Sequence, residues 1–309
     1  MTAAGADLIP GPWPAEVASR AIRPGAPARA PGQLGVTFAV DPAGRTYLGA
    51  QRSTHPFHLC RALYRPDDPP GLCTLYVQGC SGGLFERDRV ALTFSVGAGA
   101  AAHVTTAAAT IVHRMPRGDH AEQLVELEVA PGGWLEHAPE PLILFPGSRL
   151  VTRTRVRVAT GGRAIVMDGF LGHRLPDDTR PFEWLDAETR VLDANAGSGA
   201  DPLARERFFA AGADWQAGGC GRMGRYRCQG TVLVLGAGDQ PLGALRAALA
   251  SAAGGGAPTY GGASSLPNGA GVMARVLATD GTALRAALDG CWSAARAALG
   301  LPPGQRRPR

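Results

Sequence analysis

The chain has 309 residues and a formal charge of +5 at pH 7. All 31 basic residues are arginine, and three of them, Arg306, Arg307 and Arg309, lie in a terminal GQRRPR tail, so the body carries only +2. Nucleic-acid binders concentrate positive charge in their folded part, and this distribution argues against that class. Arginine without lysine, with 43 Gly and 25 Pro, reflects a GC-rich codon bias, so composition is discounted. With 45% hydrophobic residues a packed core is expected. No run of about 18 apolar residues is present, which excludes an ordinary transmembrane helix. The first residues lack the basic and apolar segments of a secretory signal. The six scattered cysteines form no tight disulfide framework, and the expected location is the cytoplasm.

Residues 1–33 are rich in Pro, Gly and Ala and read as a flexible arm. A β-rich core is expected over 34–235. In VALTFSV, Val90, Leu92, Phe94 and Val96 share one face while Ala91, Thr93 and Ser95 share the other, the pattern of a half-buried strand. The same period recurs in QLVELEV at 123–129 and in VTRTRVRV at 151–158, where Arg153, Arg155 and Arg157 line one face. Gly/Pro turns at 131–133, 146–148 and 160–162 separate such segments. The fold class is therefore mainly β, with stacked antiparallel or β-helix-like strand layers. A small C-terminal α/β part is expected over 236–301, before a basic tail at 302–309. There, helical spacing marks 242–253 and 282–299, and GVMARVLA at 271–278 reads as a strand. Asp280 is placed to cap the second helix, and Gly300 with Pro302 to stop it.

His55, His58 and Cys60 in HPFHLC offer ligands that nickel or zinc accepts. In an extended strand His55 faces away from the other two, and no second pair at motif spacing completes a site. Cys80-Ser81-Gly82-Gly83 resembles a nucleophile turn, yet a catalytic cysteine needs a positioned base, which His103 or His113 would supply only through tertiary contact. The bland reading, glycines required by a tight turn, is favoured. GAGDQPLG at 236–243 fails the GxGxxG pattern, and a chain without lysine has no GxxxxGK loop. The arginine stripe and the cluster Arg222, Arg225 and Arg227 read as solvated strand faces or as docking points for an acidic protein.

Three blocks, CTLYVQGCSGGLFERDRV, HVTTAAATIVHRM and GGWLEHAPEPLILFPGSRL, together resemble the urease accessory protein family UreD, also called UreH. Matching positions are Gly82, Gly83 and Asp88 in the first block, Thr105, Thr106, Ala108, Ala109 and Arg114 in the second, and Glu136, Pro139, Phe145 and Gly147 in the third. The chain departs from the family pattern at Ser81, at Glu86-Arg87 where glycines are usual, and at Ala107, Ile111 and His113. The resemblance implies a predominantly β, helix-like stack with two helices and no enzyme activity of its own. It also implies a scaffold that acts with UreF, UreG and apo-urease, with Ni2+ in transit through an internal passage and no tightly bound cofactor. Asp88, followed by Asp168 and Glu206, are the nominated passage carboxylates. The alternative for each is a local role, capping a turn or pairing with Arg87, Arg174 or Arg207. Two further functions compete: a small hydrolase using Cys80 or Cys73, and an autonomous nickel-binding chaperone built on His55, His58 and Cys60.

Overall fold

The computed structural model describes residues 31–173, 179–195, 200–218, 223–252 and 258–304. From β4 (Cys73–Gly79) as far as residue 193 the chain winds in flattened coils, each placing one strand in a first sheet and the next in a second. The first sheet takes β5 (Arg89–Val96), β8 (Ala121–Val129), β11 (Arg149–Val158), β13 (Trp184–Asp193) and β14 (Ala204–Ala211), and β1 (Gly32–Val40) and β2 (Thr46–Ser53) complete it. The second takes β4, β6 (Ala101–Thr106), β9 (Trp134–His137), β12 (Arg163–Gly172), β15 (Cys228–Leu235), β17 (Gly271–Ala278) and β16 (Thr259–Ser265), with β3 (Phe57–Leu59) at its edge. Two short strands, β7 (Ile111–Val112) and β10 (Leu142–Leu144), join its side.

The result is a β-solenoid-like stack. The β-helix-like layering and the C-terminal α/β part are as expected, while the strand directions are more specific than the sequence implied. Successive coils pair in parallel, β5 with β8 and β8 with β11 in one sheet, β6 with β9 and β9 with β12 in the other. Antiparallel pairs sit at the ends, as in β1 with β2, β13 with β14, and β12 with β15 and β17 beyond it. The cause is the winding: a strand's neighbour is one full coil away, and a coil returns in the same direction.

The turns that make this possible form a column. Gly99, Gly132 and Gly161 all adopt positive φ (69°, 70° and 82°), and the Gly132 amide donates to the Gly161 carbonyl. Only glycine enters that conformation without steric cost.

Apolar side chains from both inner faces form one core, including Leu34, Phe94, Leu127, Leu135 and Val156. A second core lies on the other side of the second sheet, where α2 (Leu242–Ala252) and α3 (Gly281–Ala298) cover Ile165, Met167, Val232, Val272 and Val276 through Leu245, Leu284, Leu288 and Trp292. Asp280 caps α3 by accepting from the Ala283 amide, and Gly300 at φ 78° ends it, both as the sequence indicates. A short helix, α1 (Gly212–Ala217), has no counterpart in the sequence reading.

Three expectations change. The 90–96 strand is buried on both faces, with Ala91 and Thr93 as hidden as Val90. Their small side chains lie in the middle of a broad sheet, where longer neighbours such as Leu124 cover them. Gly32 and Gln33, assigned to the arm, are part of β1, and the rest of that arm up to residue 30 lies outside the described residues. Finally, β17 is hydrogen-bonded to β15, so the C-terminal strands extend the second sheet rather than forming a separate layer.

Candidate functional site: a cavity between the sheets

Register sets the inner face of the first sheet. One row runs Phe94, Leu127, Val156, Val191 and Ala204, all apolar and packed shut. The adjacent row runs Leu92, Val125, Thr154, Thr189 and Glu206, and the next Val90, Gln123, Thr152, Ala187 and Phe208. Smaller and more polar side chains here leave a cavity of about 610 Å³ between the sheets. It spans five adjacent strands, from β5 to β14, a distance of about 19 Å at the usual strand spacing. Pro56, Cys80 and Ser81 line one end; Asp168, Glu206, Phe208, Gln229 and Thr231 line the other.

Alternation places Asp168. Its neighbours on β12 face outward, Met167 into the helix-covered core and Gly169 beneath Leu288 of α3. Gly230, paired with Gly169, also lies under Leu288, where an added Cβ would come within 2.9 Å of its methyls. Asp168 and its register partner Thr231 therefore point into the cavity. Asp168 has open surface, but that surface faces the cavity deep within the fold. Enclosure, reinforced by the nearby Glu206 charge and opposed by the Thr231 hydrogen bond and Arg275, pushes its carboxyl up to about 6. Glu206, on β14, forms an ion pair with Arg275 of β17, which joins the two sheets at this end.

Asp88 lies elsewhere. Its carboxylate accepts from the Phe85 amide at 2.8 Å and its own amide donates to the Phe85 carbonyl, so it caps the 85–88 turn and is absent from the cavity lining. The local partners considered at sequence level also differ. Arg87 pairs with Asp119, Arg207 with Asp186, and Arg174 lies outside the described residues.

The remaining matched positions hold the coils together. Gly83 has φ 139°, and a Cβ there would sit 2.3 Å from the Ile111 carbonyl; Gly82 has φ 80°. Arg87 occupies φ 69°, and its tie to Asp119 and its amide bond to the His120 carbonyl accompany that backbone. Thr105 donates to the Ala138 carbonyl one coil on, and Thr106 accepts from the Glu140 amide. Pro139 lines the cavity. The exposed Arg114 side chain lies over Gly147, which has φ 73°, and Phe145 stacks on His173 at 4.8 Å.

Glu136 is a buried hub. It accepts from Trp134 and Trp292, pairs with His103 at 2.8 Å, and receives the Arg296 guanidinium at 2.6 and 3.1 Å. Burial opposes its ionisation, but the His103 and Arg296 bonds and charges prevail and hold its carboxyl below the usual range. Arg296 continues to Asp68 and to the Pro302 carbonyl.

The competing chemistry finds little support. Burial pushes Cys73 up to about 11, which leaves it a thiol at neutral pH. Cys80 is exposed, but His113 contacts the Gly82 carbonyl and His103 is engaged by Glu136. His55 and His58 are exposed, and among the described residues no three His, Cys, Asp or Glu side chains gather as a metal site. Gly236, from the failed dinucleotide pattern, has φ 73° and packs on Gly162, where a Cβ would strike the carbonyl at 2.1 Å. Two of the three arginines of the stripe are paired within the molecule, Arg153 with Asp186 and Arg155 with Glu126. Among the described residues no helix is long and apolar enough to cross a membrane.

Sequence reading missed Arg275. Its signal was a charged residue at an inward position of an otherwise apolar strand, GVMARVLA.

A stack of coils around an elongated cavity with carboxylates at one end defines a β-solenoid-like protein. The family model described as UreD urease accessory protein matches residues 30–309, and the chain belongs to that family. It is 38% identical over 292 residues to Urease accessory protein UreD 1 of Methylorubrum extorquens, covering 91% of this chain and 96% of the relative. It is 36% identical to UreD 1 of Pseudomonas syringae pv. syringae, covering 88% and 94%. The similarity reaches the UreD of Haloarcula marismortui, at 33% identity and 87% of each chain.

Proposed function

We propose that this chain is a non-catalytic scaffold of urease maturation in the cytoplasm, working with UreF and UreG to deliver nickel to apo-urease through the cavity between its sheets. The observation that carries the passage is the cavity itself, bounded by Asp168 and Glu206 in a family named for service to urease. Nickel in transit requires ligands that bind without trapping. Two carboxylates, with Thr154, Thr189 and Gln229 along the wall, offer oxygen donors rather than a closed thiolate and imidazole cage. The elevated pKa of Asp168 marks a carboxylate whose charge is poorly compensated and which a passing cation would stabilise.

Co-expression of apo-urease with its other accessory proteins, with and without this chain, tests the proposal. Nickel content and urease activity are expected to rise only when the chain is present, and equal values in both arms would refute the scaffold role. Asp168→Asn with Glu206→Gln is expected to lower activation severalfold in the same assay while Asp88→Ala, outside the cavity lining, affects it only through stability.

A further inference from the structure

The ion pair at the carboxylate end bears on how a cation is let go. Arg275 stands in one register row with Thr231 of β15 and Asp168 of β12, and its guanidinium reaches across to Glu206 on the other sheet. A cationic group of the protein is thus already engaged on one of the two acids that face this end of the cavity. Its hold is partial: the Arg275 Nε is buried with no hydrogen-bond partner among the described residues, whereas a guanidinium fork seated on both carboxylate oxygens would engage it. The side chain is also 39% exposed, so it has open space into which to move.

Two uncompensated carboxylates would form a hard oxygen site with charge −2, well suited to retaining a divalent ion. With Glu206 already matched by Arg275, the net charge of the three side chains is −1, and a dication gains less by staying. We propose that Arg275 keeps this end of the cavity a transit point: it competes with the dication for Glu206 and re-forms the pair as the ion leaves. No covalent bond changes; one ion pair exchanges for another. Arg275 is therefore a positioning residue that sets residence time, and the proposal rests on the cavity being the nickel route.

The test measures Ni2+ binding to the full chain by titration calorimetry and its release to a chelator by stopped flow. Arg275→Gln is expected to tighten binding about five- to tenfold and slow release in proportion, as loss of a competing charge partner predicts. Arg275→Lys, which retains the charge, should stay within about twofold of the parent. A structural role alone would weaken binding or leave it unchanged. Arg275→Met, which preserves the packing of the stem, replaces Gln if that variant does not fold. If Asp168→Asn with Glu206→Gln weakens binding but the uncharged Arg275 variants bind no tighter than the parent, the role of Arg275 falls and the passage stands. If the double carboxylate variant binds nickel as the parent does, the passage falls and takes this inference with it.

Discussion

Glu136 shows how a matched family position can be important without touching any ligand. Its carboxylate is fully buried, yet it is bonded by two indoles, an imidazole and a guanidinium drawn from β6, β9 and α3. Removing one member of such a network strands the others. Glu136→Ala is expected to destabilise the fold by about 3–5 kcal/mol in chemical denaturation. Because the folded-state pKa is lowered, this contribution is fully present above the ordinary value of 4.5 and is lost as pH falls through the lower folded value. The stability gap between parent and variant should therefore be constant near neutrality and close in acid. The sequence made Glu136 visible through the block around it, but not its role, since its partner Arg296 lies 160 positions away along the chain. Asp168 and Glu206 were nominated from the same kind of matching; what the sequence did not convey is that Arg275 stands beside them.

At the scale of elements, period-two patterning located β5, β8, β11 and β17 to within about two residues, and helical spacing located α2 and α3. Strand direction was not legible in the same way. Alternation reports which face is buried and is silent on whether the next strand runs parallel. The signal for parallel coils was in the turns instead. Thr105 and Ala138 are 33 positions apart and Arg155 and Glu126 are 29 apart, yet each pair lies across neighbouring coils. The positive-φ glycines Gly99, Gly132 and Gly161 recur at intervals of 33 and 29 positions. Close approach of α3 to the second sheet depends on Gly169 and Gly230 beneath Leu288. Gly230→Val is expected to force the helix outward and cost about 2–4 kcal/mol, measured as a lowered unfolding midpoint, whereas the same change at exposed Gly243, which has open space around it, should cost far less.

For the whole molecule, the two sheets serve different ends. The second is covered by α2 and α3, while the first carries on its outer face a lattice of ion pairs that includes Arg89 with Glu122, Arg153 and Arg207 with Asp186, and Arg205 with Glu188. Between them lies space that a tightly filled core would not leave. Thr154→Trp, which puts a residue of high strand propensity at mid-cavity, is expected to leave the melting temperature within a few degrees but to abolish most urease activation by obstructing the interior. Unchanged activation with a folded variant would exclude the cavity as the route. The Arg296 anchor has a consequence for biosynthesis. The coils can assemble in the order in which they leave the ribosome, but the acid at Glu136 waits for a guanidinium made 160 residues later. Until α3 emerges, a nascent chain carries a nearly finished solenoid whose buried Glu136 has only His103 and Trp134 as partners, so α3 completes the network, and a chain truncated before residue 296 is expected to be more open to quality-control proteases.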